Sequence, residues 1–214
     1  MRRSLPAPQE GVKARIARAT GARLVRVADL RRQPSDTVAE SALVVIVPEA
    51  EACVAAIRET YDPAARLGAP AHITLLYPFA DPVEIGPTML DVAANALSPR
   101  PPFAYRLVTP RRFADTLYLA PVPAEPFVAL TRLIVHAFPQ FPPYGGRFDP
   151  VVPHLTLARG GDADLRAVEA ILSAVLPGDG IPAHCLEVAL LESASGRWQP
   201  MHVFRLGSTR GDRS

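Results

Sequence analysis

His72-Ile73-Thr74-Leu75 and His154-Leu155-Thr156-Leu157 are two copies of one pattern, 82 residues apart, in a chain that carries only three other histidines. Strand residues two apart point to the same face. Each copy, read as a strand, therefore presents an imidazole beside a hydroxyl, while Ile73 and Leu75, or Leu155 and Leu157, turn into a core. Two such strands facing one cleft bring together two titratable rings and two hydroxyl donors. One ring can then take a proton while the other gives one, a division of labour that opens or closes a phosphodiester near neutral pH.

The rest of the chain repeats around these strings. In the first half, residues 43–47 read as a buried strand and 49–60 as a helix with acidic residues in its first turn. The His72 strand, a helix over 87–97 and a strand over 103–108 follow. In the second half, residues 117–120 are a strand, 125–138 a helix and 141–146 the loop before the His154 strand. A helix over 162–176, capped by Asp162, and a strand over 185–191 close the repeat. Phe103 and Cys185 each lie 31 residues beyond their histidine, which marks them as counterparts. Tight connections before residues 116–121 and 197–206 add a closing strand to each half. The strand at 116–121 serves both halves. The expected fold is therefore α+β: two pseudo-symmetric, interlocked lobes, with antiparallel or mixed sheets facing a central cleft and helices on the outside.

With 214 residues and 49% hydrophobic content, the chain can bury one sizeable core. Its longest apolar run, residues 42–47, is far short of a membrane span, and no signal-peptide pattern opens it, so a soluble, cytoplasmic monomer is expected. Cys53 and Cys185 read as ordinary reduced thiols. Charge is uneven: residues 1–36 hold nine basic and three acidic side chains, and the remainder is mildly acidic. Such a body lacks the positive field that a long duplex or long RNA calls for, and a small or short nucleotide suits it better. The arm at 1–37 has three open readings: it gathers RNA, it is an inert solvated extension, or it is an artefact of gene calling, since Val38 can be decoded from an alternative start codon. Residues 38–207 form the expected body and 208–214 a flexible tail.

The two strings, each preceded by a small or ring residue (Ala71, Pro153) and ending on Leu, resemble the HxT motifs of the 2H phosphoesterase superfamily. Within it they are most similar to the group called 2′-5′ RNA ligases or RNA 2′,3′-cyclic phosphodiesterases. Leu76-Tyr77-Pro78-Phe79 after the first motif and Arg111-Arg112-Phe113 before residues 116–121 add to the likeness, which spans about residues 41–206. One HxT recurs often by chance; two in corresponding places of a repeat are specific. The resemblance implies a metal-independent cyclic phosphodiesterase with no cofactor, acting on RNA ends or small nucleotides, with 2′-5′ ligation as a related activity. It assigns proton transfer to His72 and His154 and phosphate-oxygen contacts to Thr74 and Thr156. The sequence leaves open which histidine is the acid. It also permits a non-catalytic nucleotide- or RNA-end-binding module of the same fold.

Around these four residues, Tyr77, Tyr118, Tyr144 and Phe148 are candidates for stacking on a base. Arg111, Arg112 and Arg159 are candidates for a forked phosphate contact. His136, His184 and His202 lack a threonine partner and read as structural. Neither motif supplies a second nearby metal ligand, so no metal is expected. No phosphate-binding loop, dinucleotide fingerprint, serine nucleophile elbow or HExxH string is present, which argues against ATP-driven ligation.

Overall fold

The structure, a computed structural model, describes residues 39–146 and 151–207. The basic arm and C-terminal tail expected from the sequence, and Phe148, lie outside the described residues. From residue 41 the chain runs β1 (Ser41–Ile46), α1 (Pro48–Tyr61), α2 (Pro63–Arg66), β2 (His72–Leu76), α3 (Pro87–Leu97), β3 (Phe103–Arg112), β4 (Thr116–Val122), α4 (Glu125–Ala137), β5 (Leu155–Arg159), α5 (Asp162–Leu172), β6 (Ile181–Cys185), β7 (Glu187–Glu192) and β8 (Gln199–Arg205). The helices start where the sequence allows. Proline occupies an early position of α1, α3 and α4, where its missing N–H costs nothing. Glu49 and Glu51 in α1, and Asp162 and Asp164 in α5, sit in first turns, where the helix dipole favours them.

The strands form one sheet in the order β6-β3-β4-β5-β2-β1-β7-β8, and every pairing is antiparallel. The two halves meet at its centre through β2 and β5, with Ile73 opposite Leu155. Each half also lends a strand to the other: β3 pairs with β4 and β6, while β7 pairs with β1. The helices cross over in the same way, α1 packing against β5 and α4 against β2. This exchange is the interlocking that the shared strand implied, and it makes the sheet centre the best-supported place in the molecule.

The main core lies between the helices and one face of the sheet. Ile73, Leu75, Leu155 and Leu157 point into it with Val54, Ile57, Phe127 and Ile134, all essentially without exposure. The other face carries a smaller apolar cluster of Ala42, Val44, Ala189 and Leu191, against which Ile46, Tyr77 and Trp198 pack. That open face also bears the histidines and threonines, as the two-residue period of a strand requires.

Three expectations are corrected. The strand read over 185–191 is two strands, because the chain switches lobes at the exposed Leu186. Cys185 therefore ends β6 and is the register partner of Phe103, not its counterpart, and the structural counterpart of β3 is β7. The helix expected over 162–176 ends at Leu172, with Gly161 rather than Asp162 as its N-cap. Gly180 then admits β6 beside β3: its φ is +78°, and a Cβ there would stand 2.5 Å from the Leu107 carbonyl oxygen. Cys53 on α1 and Cys185 on β6 are free thiols, and burial pushes the Cys185 thiol up to about 12. No helix among the described residues is long and apolar enough to cross a membrane.

Candidate active site

Ile73 is the register partner of Leu155, so His72, Thr74, His154 and Thr156 all lie within one residue of the contact between the two halves. The two rings are near enough that the charge of His154 bears on His72. All four side chains line one cavity of about 420 Å³ on the open face, with Tyr77, Tyr144 and Arg159. A larger groove, about 500 Å³, runs past Arg100, Phe103, Pro126 and Leu133, but it carries no histidine, hydroxyl or carboxylate. Size alone does not locate the chemistry.

The histidines are held alike. His72 Nδ1 lies 2.7 Å from the Pro70 carbonyl oxygen, and His154 Nδ1 lies 2.8 Å from that of Val152, each two residues upstream. A carbonyl can only accept, so each Nδ1 carries the hydrogen and, in the neutral ring, each Nε2 is a bare acceptor. Burial lowers the pKa of both rings. It carries His72 down to about 4, opposed by the Pro70 carbonyl and aided by the charge of Arg58, and it lowers His154 against the pull of the Val152 carbonyl. Burial thus favours the neutral form of both rings.

At the cavity wall, Arg58 on α1 and the lining Asp62 just after it form a buried ion pair at 2.9 Å, each side chain about 3% exposed. Arg58 Nε also donates to the Thr156 carbonyl oxygen at 3.1 Å and Nη1 to that of Ala69 at 3.3 Å. One guanidinium thus ties α1 to β5 within the second motif and to the loop three residues before His72. Glu51 adds a second tie, accepting the Ala71 N–H at 2.6 Å.

Tyr144 closes one side of the cavity in a left-handed conformation, φ 51°, which a non-glycine residue adopts at a cost of about 1–3 kcal/mol. Its N–H donates to the Tyr77 carbonyl oxygen at 2.6 Å, and its hydroxyl is hydrogen-bonded to the Thr74 side chain. The Tyr77 hydroxyl donates to Glu40 Oε1 at 2.7 Å, and burial followed by this bond pushes its pKa up to about 12. Both phenols are therefore donors, not bases, near neutrality. Arg159 makes no ion pair among the described residues.

The remaining sequence candidates lie elsewhere. Tyr118 is buried behind His154, ring centroids 5.3 Å apart, and stacks on Phe113 at 4.4 Å, so it supports the histidine without lining the cavity. Arg111 is its exposed register partner on β3, three strands from β2 and outside the lining. Arg112 is taken by Asp162 and Glu169, both at 2.6 Å. His136, His184 and His202 are exposed and off the cavity. Sequence reading missed Glu40, Asp62, Leu191 and Trp198, which also line it. Only Trp198, the chain's single tryptophan beside an expected hairpin, gave a signal. Among the described residues, no group of three or more His, Cys, Asp or Glu side chains is placed to hold a metal ion.

Residues 46–197 match the family model of the 2′-5′ RNA ligase superfamily. Solved structures with the same fold include E. coli LigT complexed with 3′-AMP, at 19% identity and a TM-score of 0.54, covering 79% of this chain and 98% of that one. LigT complexed with NADP+ matches at 21% identity and 0.52 over the same shares. TT0787 of Thermus thermophilus matches at 20% and 0.52, covering 80% of this chain and 100% of that one. No curated protein matches the chain in sequence.

Proposed function

The chain belongs to the 2′-5′ RNA ligase superfamily, and on that premise we propose that it is a metal-independent phosphoesterase that hydrolyses 2′,3′-cyclic phosphates of nucleotides or RNA ends. The observation that carries this reading is the matched pair of Nδ1 contacts, to Pro70 and Val152, in a cavity that both rings share. It leaves two Nε2 atoms free to handle protons on opposite sides of one phosphorus. The nucleotides bound to LigT, 3′-AMP and NADP+, are of the same chemical class. The working unit is residues 38–207.

His72, the more depressed of the two, is assigned the base and His154 the acid. His72 Nε2 removes a proton from water as its oxygen bonds to phosphorus. The P–O bond to the departing ribose oxygen breaks, and protonated His154 delivers its Nε2 proton there. The product is a nucleoside monophosphate, and the two rings have exchanged protonation states. Thr74 and Thr156 donate to the non-bridging oxygens as charge builds, and Arg159 balances the anion. Ring opening by a ribose hydroxyl in place of water makes a 2′-5′ linkage by the same proton transfers.

The pKa directions set a testable profile. A base must be deprotonated, so kcat/KM rises as pH passes upward through its pKa, about 4 for His72. An acid must be protonated, so kcat/KM falls as pH passes through that of His154, which lies below 6.5. The two titrate as a pair, and the bell they produce is expected to peak on the acid side of neutrality. Initial rates on a 2′,3′-cyclic mononucleotide from pH 3.5 to 9 check this. A descending limb above pH 7.5 would contradict the assigned roles.

A further inference from the structure

The cavity extends unequally from the two histidines. On the second lobe, Tyr118 and the Phe113 stacked on it pack edge-on against His154, and neither lines the cavity. On the first lobe the cavity continues over a floor of Ala42, Val44 and Leu191, past Tyr77 and Trp198, to Glu40. A group attached to a phosphate between the histidines therefore lies over the first lobe.

Glu40 makes that extension selective. Val44 is the register partner of Thr74, and Glu40 lies four residues upstream, ~13 Å along an extended strand. That is comparable to the reach of a nucleotide from phosphate to the far edge of its base. The carboxylate is fixed before any ligand arrives: Oε1 accepts the Tyr77 hydroxyl, and the Glu40 N–H donates to Ser193 Oγ at 3.0 Å. Its Oε2 has no hydrogen bond among the described residues. Asp62, the other carboxylate of the cavity, is already engaged by Arg58 and by the Ala64 N–H. A carboxylate accepts hydrogen bonds and does not donate them.

We propose that Glu40, with Tyr77, Trp198 and the apolar floor, forms a base subsite that selects guanine. The phosphoesterase reading fixes where the phosphate sits, and the subsite rests on it. Guanine presents N1–H and its amino group side by side, matching the two oxygens of one carboxylate, while its ring lies on Ala42, Val44 and Leu191. Adenine and cytosine offer one amino group each. Uracil offers one N–H between two carbonyl oxygens, which a carboxylate repels.

The test compares kcat/KM for the four 2′,3′-cyclic mononucleotides, with calorimetric binding of 2′-GMP and 2′-UMP as a readout without chemistry. The cyclic guanosine compound is expected to exceed the uridine one by on the order of tenfold to a hundredfold. In Glu40→Gln the amide oxygen can still accept from Tyr77, but an N–H₂ replaces the free acceptor, and the ratio should fall to one or below. A wild-type ratio within twofold of one, or a ratio unchanged in Glu40→Gln, overturns the subsite and leaves the phosphoesterase reading standing. If no cyclic nucleotide turns over, the phosphoesterase reading fails, and the two monophosphate affinities decide the subsite alone: a guanosine preference lost in Glu40→Gln supports it, and equal affinities overturn it.

Discussion

Alanine in place of His72 or His154 is expected to lower kcat on a 2′,3′-cyclic nucleotide by ~10²–10⁴-fold, the usual contribution of a positioned proton donor or acceptor. The double variant should fall little further than the worse single one, because a base without its acid has no productive second half. A substrate with a good leaving group separates the roles. A 4-nitrophenyl nucleotide ester needs no proton on its departing oxygen, so His154→Ala should recover much of its loss on it, and His72→Ala should not. Equal recovery in both would contradict the assignment. Binding of a nucleoside monophosphate should survive in either variant, since Thr74, Thr156 and Arg159 remain in the cavity.

The second large effect concerns stability. Arg58→Ala is expected to cost about 3–5 kcal/mol, because it leaves Asp62 charged and buried with no partner. It also strips a donor from the carbonyls of Thr156 and Ala69. Arg58→Met with Asp62→Leu removes both charges while keeping volume, and should recover most of that loss, since a buried pair is often replaceable by apolar groups. It cannot restore the donors that hold the second motif against α1. Denaturant unfolding checks both variants, and a single Arg58→Ala cost under about 1 kcal/mol would mean that water reaches the pair.

The motif strands were legible because a two-residue period is local: each histidine-apolar-threonine-apolar string states its own inward and outward faces. Element order was legible for a similar reason, since prolines and first-turn acids mark the helix starts from within a few residues. Partnerships were not. Nothing near Phe103 announces that β3 leaves its own half to pair with β6, and the switch of lobes after Cys185 rests on the single residue Leu186. Tyr118 and Tyr144 are alike as sequence, aromatic residues near a motif, yet one is packed behind His154 and the other reaches Thr74. Arg58 lay hidden because an arginine on an amphipathic helix ordinarily points to water. Its burial depends on Asp62 one turn on and on carbonyls contributed from Ala69 and Thr156, the latter 98 residues away. Glu40 escaped notice because its role depends on a tyrosine 37 positions later.

The central claim, that two imidazoles exchange protons across one phosphorus without a metal, is tested most directly by product analysis in ¹⁸O-labelled water with a chelator present. The account predicts that a 2′,3′-cyclic mononucleotide is converted to a single monophosphate isomer carrying one ¹⁸O on phosphorus, at a rate the chelator leaves unchanged and that His72→Ala and His154→Ala each lower by ~10²–10⁴-fold. Turnover that disappears with the chelator, or that stays within about tenfold of the wild-type rate when both histidines are gone, would contradict it.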